Sequence, residues 1–304
     1  LYHSRYFRPI KDYLVASTES FGRLFSQMPW LINSILSLPL CRKLLKNQIG
    51  LMDLPEYSPA SVRKCLLNYD KKAFNLDDLY TISAEESKSS VILLQDAFTS
   101  FYESQVVVEF YQLLKKLDFS VYVAPFHPNG KPLHVKGFLT KFRNIAERNT
   151  KWLTYLGGTG IPIVGIDPSV VLTYRDEYLK ILGLKELPFK VLLPQEFLIL
   201  NGDKCIKNSV KSRQNFEEYN LLGHCAEKTT AEDSLELWKD VFALFNLDLM
   251  LINAGCCGMA GTYGHESDHY EESIGIYKLS WSKKIPEEPF CRQKILAWLN
   301  IGRK

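Results

Sequence analysis

No run of about 18 or more apolar residues occurs in this 304-residue chain, so no segment is expected to cross a membrane as a helix. A leader of basic, apolar and small-residue blocks is missing from the start. The chain opens on Leu1 instead of Met, and is expected to be a piece of a longer protein. Charge of one sign is scarce as well. The 37 basic and 34 acidic side chains leave a net charge of +3, too little to expect a nucleic-acid partner. No C-x-x-C pair is present, which removes the usual zinc knuckle and the usual spacing of a redox dithiol. Gly157-Gly158-Thr159-Gly160 precedes a strand-like run and does not follow one, so it is a turn and not a phosphate cradle. No flavin or nucleotide fingerprint and no serine or cysteine hydrolase arrangement accompanies it.

What remains is an ordinary globular composition, 46% hydrophobic and 23% charged, in a chain long enough for one large domain or two modest ones. Its seven cysteines are an odd number and are clustered. That argues for reduced thiols in a cytoplasmic setting and against a secreted disulfide framework. Cys41, Cys65 and Cys205 stand alone and are expected to be bystanders in core or surface. The other four, Cys225, Cys256, Cys257 and Cys291, lie in the last third of the chain.

Residues 1–88 read as helical, with apolar residues at helical intervals broken at Pro29 and Pro39 and a polar linker over residues 77–90. From residue 91 the rhythm alternates. Val91-Ile92-Leu93-Leu94 is a short apolar run of the kind a doubly covered strand needs. A helical pattern over residues 106–117, a strand at 120–124, a helix from 136 to about 155 and a strand at 161–166 follow it. A similar series follows, with strand-like residues 219–223, a helix at 231–245, a strand at 249–252 and a helix at 269–281. The fold class is therefore α/β: two similar Rossmann-like halves with parallel sheets, an internal duplication, behind a helical N-terminal segment. The expected divisions are 1–88, 89–186 and 187–304. The interval from Thr99 to Pro128 nearly equals that from Cys225 to Cys256, so Pro128-Asn129-Gly130 holds the place of Cys256-Cys257-Gly258.

Adjacent thiols in Ala254-Gly255-Cys256-Cys257-Gly258-Met259-Ala260-Gly261 have few structural uses. Both can reach one inorganic centre if the backbone bends sharply and the glycines leave room. Such turns after strand carboxyl ends are where α/β sheets bind ligands. Three or four thiolates select iron or zinc over magnesium or calcium. Dispersed cysteines with glycine flanks favour an iron–sulfur cluster, zinc remains the alternative, and a dithiol switch is a third reading. His224 and His265 are candidates as further ligands, sulfur partners or plain loop residues. Glu266, Asp268 and Glu271 read as a solvated helix start. Arg175, Asp176 and Glu177 read as surface salt bridging, with Arg175 a weaker candidate for a carboxylate substrate or a partner.

Gly223-His224-Cys225, the double-cysteine string, and Asp167-Pro168-Ser169 with Tyr174-Arg175-Asp176-Glu177-Tyr178 resemble the cysteine-rich CCG domain. That domain occurs in the iron–sulfur subunit of glycolate oxidase, in heterodisulfide reductase and in FAD-linked D-lactate-type dehydrogenases. With Tyr6-Phe7-Arg8-Pro9 and residues 96–102, the chain is similar to the carboxy-terminal part of large fused dehydrogenases acting on D-lactate or D-2-hydroxyglutarate. The resemblance implies a 4Fe-4S or other iron–sulfur centre, or zinc, on Cys225, Cys256, Cys257 and Cys291 beside Gly258. It implies electron relay from flavin toward a respiratory acceptor. It also implies upstream FAD and ferredoxin-type domains as partners, and a cytoplasmic place, peripheral to the inner face of the membrane. The first half, with Pro128-Asn129-Gly130, would have lost its centre.

Overall fold

A computed structural model describes residues 7–67, 69–70, 73–208, 218–285 and 294–296. Among the described residues, seven strands form two parallel sheets. The first contains β1 (Ser90–Leu94), β2 (Ser120–Val123), β3 (Ile163–Gly165) and β4 (Val191–Leu192) in the order β2-β1-β3-β4. The second contains β5 (Glu218–Leu221), β6 (Asp248–Leu251) and β7 (Lys294–Leu296) in the order β6-β5-β7. In each sheet the first strand is central and the next two flank it on either side. The α/β class expected from the alternation is the one observed.

The continuous apolar run of β1 follows from its position. Strand side chains alternate between faces, and here both faces are covered. Val91 and Leu93 enter one core with Val107, Leu114, Val121 and Phe197. Ile92 and Leu94 enter the other with Phe142, Leu153, Ile163 and Tyr178. At roughly 1.5–3 kcal/mol for each fully buried aliphatic side chain, β1 is the strand the first sheet can least spare. The second half has a smaller core of Leu222, Ala254, Cys257 and Trp281. It also leans on the first, because Val241 of helix Glu232–Leu244 joins the core that holds Val91.

Two expectations need correction. The first sheet extends past residue 186, since β4 pairs with β3 at Val164↔Leu192. The polar stretch read as a linker contains a 3-10 turn, Asp77–Tyr80, and a helix, Ala84–Lys88, opened by a capping box between Ser83 and Glu86. Leu79 there is buried in the core and Ile82 packs against it, so an acidic, serine-rich sequence anchors the chain through two aliphatic side chains. The N-terminal segment is helical as expected, with Pro29 and Pro39 starting helices at positions that need no N–H. It is tied into the cores of the first half. Val62, Leu66 and Ala73 join one core of the first half and Ala16 the other.

The same segment clamps the two halves together. Lys11 reaches Glu266 at 2.8 Å and Asp268 at 2.7 Å, while Lys136 pairs with Asp12 at 3.2 Å and also with Glu266. Glu266 is buried, and the two ammonium groups hold its carboxyl below the usual range against the opposing effect of burial. The solvated helix start expected at Glu266 is thus an internal ion-pair node. Leu51 bridges to Glu266, and the Met52 N–H donates to the His265 carbonyl at 2.8 Å.

Candidate metal centre

The polypeptide leaves β5 through Leu222 and Gly223. A Cβ on Gly223 would stand 2.7 Å from the terminal methyls of the Leu235 side chain, which would have to turn aside. His224 then caps helix Cys225–Thr230, its Nδ1 accepting the Ala226 N–H at 3.1 Å. With Nδ1 accepting, Nε2 carries the ring proton and is a donor. Burial first, and the Lys131 and Lys228 charges after it, hold this imidazole below its ordinary range, against the nearby Asp167. Cys225 is the first residue of the helix and is exposed.

From β6 the chain runs through residues 252–255 into the double cysteine, and the end of helix Tyr270–Ser280 pins that loop. Ser280 Oγ accepts the Gly255 N–H at 2.6 Å, and Trp281 Nε1 donates to the Gly255 carbonyl at 2.9 Å. The Gly258 N–H donates to Cys256 Sγ at 3.3 Å. Cys256 is exposed, whereas Cys257 is buried among Leu222, Ala254 and Trp281. Gly258 has φ +86°, and a Cβ on it would stand 2.3 Å from the Ser273 carbonyl oxygen. This glycine therefore lets the loop press on a helix, which differs from the expected role of making room for inorganic atoms. Gly261, at φ +71° with nothing within 4 Å of a Cβ, does supply bare backbone freedom.

Three of the four predicted thiols, those of Cys225, Cys256 and Cys257, lie in one region, although their sulfurs are not all within 4.8 Å of one another as the atoms of a formed metal site would be. Burial raises the Cys257 thiol above its ordinary range, and Cys225 and Cys256 lie near enough to raise it further. All three also bear on Lys228. The Lys228 ammonium donates to the Ala254 carbonyl at 2.6 Å, bolting the helix that carries Cys225 to the loop that carries Cys256 and Cys257. Lys228 is absent from the residues that the sequence singles out. Its one signal there is the i, i+3 spacing from Cys225, which puts both on one helix face. The three thiols are a soft donor type, suited to iron or zinc, with the Lys228 ammonium and the half-buried His224 imidazole near them. The fourth expected ligand, Cys291, lies outside the described residues. His265 faces elsewhere. Its surroundings are the Met52 and Asp53 backbone and the Asp53 charge, and its Nδ1 is buried without a partner.

Glu266, Asp268 and His269 place three ligand atoms within 4.8 Å of one another. Lys11 and Lys136 already neutralise those carboxylates. Arg175 is likewise engaged, with Glu196 at 2.8 Å and the Val191 carbonyl at 2.7 Å.

The first half repeats the geometry without the thiols. Asp96 follows β1 and caps helix Ala97–Phe101, as His224 follows β5 and caps its own helix. Ala97 is therefore the counterpart of Cys225, two places before the Thr99 expected from sequence. The interval from Ala97 to Pro128 matches that from Cys225 to Cys256 residue for residue. Gly130 has φ +80°, like Gly258. Where Cys256 sulfur accepts the Gly258 N–H, the Glu19 carboxylate accepts the N–H of Asn129 at 2.7 Å and of Gly130 at 3.1 Å. Burial pushes Glu19 up to about 7. Asp96 is also raised, first by burial and then by Asp167 at the end of β3. The Asp167 charge reaches His224 and Glu227 as well, so the carboxyl ends of the two sheets face one another.

No family model and no solved structure matches this chain. It is 39% identical over 297 residues to a D-2-hydroxyglutarate dehydrogenase of Escherichia coli (strain K12), a match covering 98% of this chain and 29% of that protein. It is 40% identical over 297 residues to the D-2-hydroxyglutarate dehydrogenase of Pantoea ananatis (strain AJ13355), covering 28% of it. More distantly, it is 22% identical over 276 residues to one subunit of the anaerobic glycerol-3-phosphate dehydrogenase of Escherichia coli (strain K12), covering 88% of this chain and 66% of that protein. The chain thus spans under a third of the length of the D-2-hydroxyglutarate dehydrogenases it matches.

Proposed function

We propose that this chain is the cysteine-rich carboxy-terminal module of a flavin- and iron–sulfur-dependent D-2-hydroxyacid dehydrogenase, acting on D-2-hydroxyglutarate. The observation that supports this reading is the placement of Cys225 and of Cys256 and Cys257 in the two loops after the paired strands β5 and β6, loops that the Lys228–Ala254 hydrogen bond ties together. The dehydrogenase names of its relatives supply the reaction class. On this reading the chain is a duplicated unit. The first copy, closed by β4, has exchanged its centre for a carboxylate plug, and the second keeps it. Cys225, Cys256, Cys257 and Cys291 would hold an iron–sulfur cluster, which supplies one-electron transfer when bound. Lys228 sets a positive charge beside the thiolates and fixes the distance between their loops. The Cys257 side chain, seated in the small core, shields one side of the site from water. FAD and ferredoxin-type domains of the parent protein are the proposed electron donors, and a respiratory acceptor at the inner face of the membrane the proposed sink.

The test is rapid-mixing spectroscopy on the parent enzyme carrying Cys256→Ser. D-2-Hydroxyglutarate should still bleach the flavin, while reduction of the acceptor should be lost. Unchanged acceptor reduction would remove the relay role. The burial of Cys257 among Leu222, Ala254 and Trp281 favours a second reading, zinc holding the smaller half together without electron transfer. Stoichiometric zinc in a colourless protein would decide for it.

A further inference from the structure

Eleven of the 24 large apolar side chains exposed among the described residues lie between Phe7 and Leu44, and Trp30 and Leu40 are each 70% exposed. Charge is uneven along the same region, with Asp12 and Glu19 before residue 20 and the exposed Asp53 and Glu56 beside Arg42 and Lys46 in one groove. Residues 20–52 contain no Asp or Glu but carry Arg23, Arg42, Lys43 and Lys46. With a net charge of +3 for the whole chain, this stretch holds more than the entire excess. Helix Pro39–Leu44 continues without a break into the turn Leu45–Ile49. On it Leu40 and Leu44 stand one turn apart, and Arg42, Lys43 and Lys46 are exposed around them.

We infer that the helices between Phe21 and Ile49 form a surface that lies on an anionic lipid bilayer. Protein–protein interface cores are poor in lysine, and this apolar surface has three cations interleaved with its leucines and no acid within its own stretch of chain. Short helices with aliphatic and tryptophan side chains on one side and lysine and arginine on the other rest in the headgroup layer. Among the described residues no helix is long and apolar enough to cross a membrane, so attachment is in the plane of the surface. Each cation near a negative leaflet strengthens binding and makes it sensitive to salt. None of this depends on the thiolate site, which lies in the other half of the chain.

The experiment is co-sedimentation of the 304-residue chain with vesicles of phosphatidylcholine alone or mixed with phosphatidylglycerol. The chain should partition onto the mixed vesicles and be released by added salt. Arg42→Glu with Lys43→Glu should lower that partition by at least on the order of tenfold. Trp30→Ser with Leu40→Ser should lower it as well. Both pairs are exposed, so circular dichroism and the thermal transition should match those of the unaltered chain. Cys256→Ser should bind vesicles fully, whatever its metal content, which separates this test from that of the thiolate site. No preference for phosphatidylglycerol, or full binding by either double variant, would overturn the inference. So would a dimer that Trp30→Ser with Leu40→Ser dissolves while no vesicle binding occurs, since the face would then bind a second copy.

Discussion

Replacing Gly258 by alanine separates two roles that a glycine beside paired cysteines can have. Its φ of +86° lies in the left-handed region, and a Cβ there would stand 2.3 Å from the Ser273 carbonyl oxygen and 3.0 Å from its carbon. The left-handed conformation costs a residue with a side chain roughly 1–2 kcal/mol. Crowding against the backbone of helix Tyr270–Ser280, which cannot rotate away, adds about 1–3 kcal/mol. A central sum of about 3 kcal/mol should lower the melting temperature by roughly 6–12 °C. Gly261→Ala is the matched control, because its φ is +71° and nothing lies within 4 Å of its Cβ. It should lose only the conformational part, about 1–2 kcal/mol. The assay is thermal or urea unfolding of chelator-treated protein, followed by near-ultraviolet dichroism of Trp281, which sits in the same small core. If Gly258→Ala costs the metal-free protein no more than Gly261→Ala, the contact with Ser273 is not what selects glycine at this position.

Other outcomes follow from the clamp and the plugged first half. Glu19 binds its proton at about 7 when folded against 4.5 ordinarily. Its stabilising effect is therefore complete below pH 4.5 and lost as pH rises through about 7, by up to about 3 kcal/mol. Urea unfolding across this range should show that slope, and Glu19→Gln should flatten it; an unaltered slope would exclude Glu19 as its source. Asp96→Asn keeps the helix cap and removes the repulsion from Asp167, so it should unfold no more easily than the parent at about pH 8. Marked destabilisation there would contradict the geometry. Glu266→Ala leaves Lys11 with Asp268 alone and Lys136 with Asp12 alone and should cost about 1–3 kcal/mol, with faster limited proteolysis in the N-terminal helices. Unchanged proteolysis would show that the clamp does not hold them. Lys228→Met should weaken metal retention on dialysis against chelator while leaving the first half folded; equal retention would remove Lys228 from the site.

Much of this is legible in the sequence, and the misses share a cause. The run Val91-Ile92-Leu93-Leu94 announces a strand covered on both faces because only such a strand can bury every side chain. The glycines of the double-cysteine string announce a bent loop because glycine readily accepts the positive φ found at Gly258 and Gly261. Long-range pairing leaves no such mark. Glu266 looks like a helix start until Lys11 and Lys136 arrive from distant segments. Residues 77–88 look like a linker because two aliphatic side chains, Leu79 and Ile82, leave no period to detect. Thr99 looks like the counterpart of Cys225 because spacing alone cannot locate a helix cap. Asp96 and His224 do locate it, and they shift the alignment to Ala97. An isolated lysine in a helical stretch, such as Lys228, carries no signal without the loop it reaches.

Iron and acid-labile sulfide should be quantified in the anaerobically purified chain and in its Cys225→Ser, Cys256→Ser and Cys257→Ser variants. A shared inorganic centre predicts a brown protein bleached by dithionite, with iron and sulfide lost in all three variants while the first half stays folded. Full iron in any one of the three, or a colourless parent chain without iron, would contradict the gathering of these thiols around a cluster.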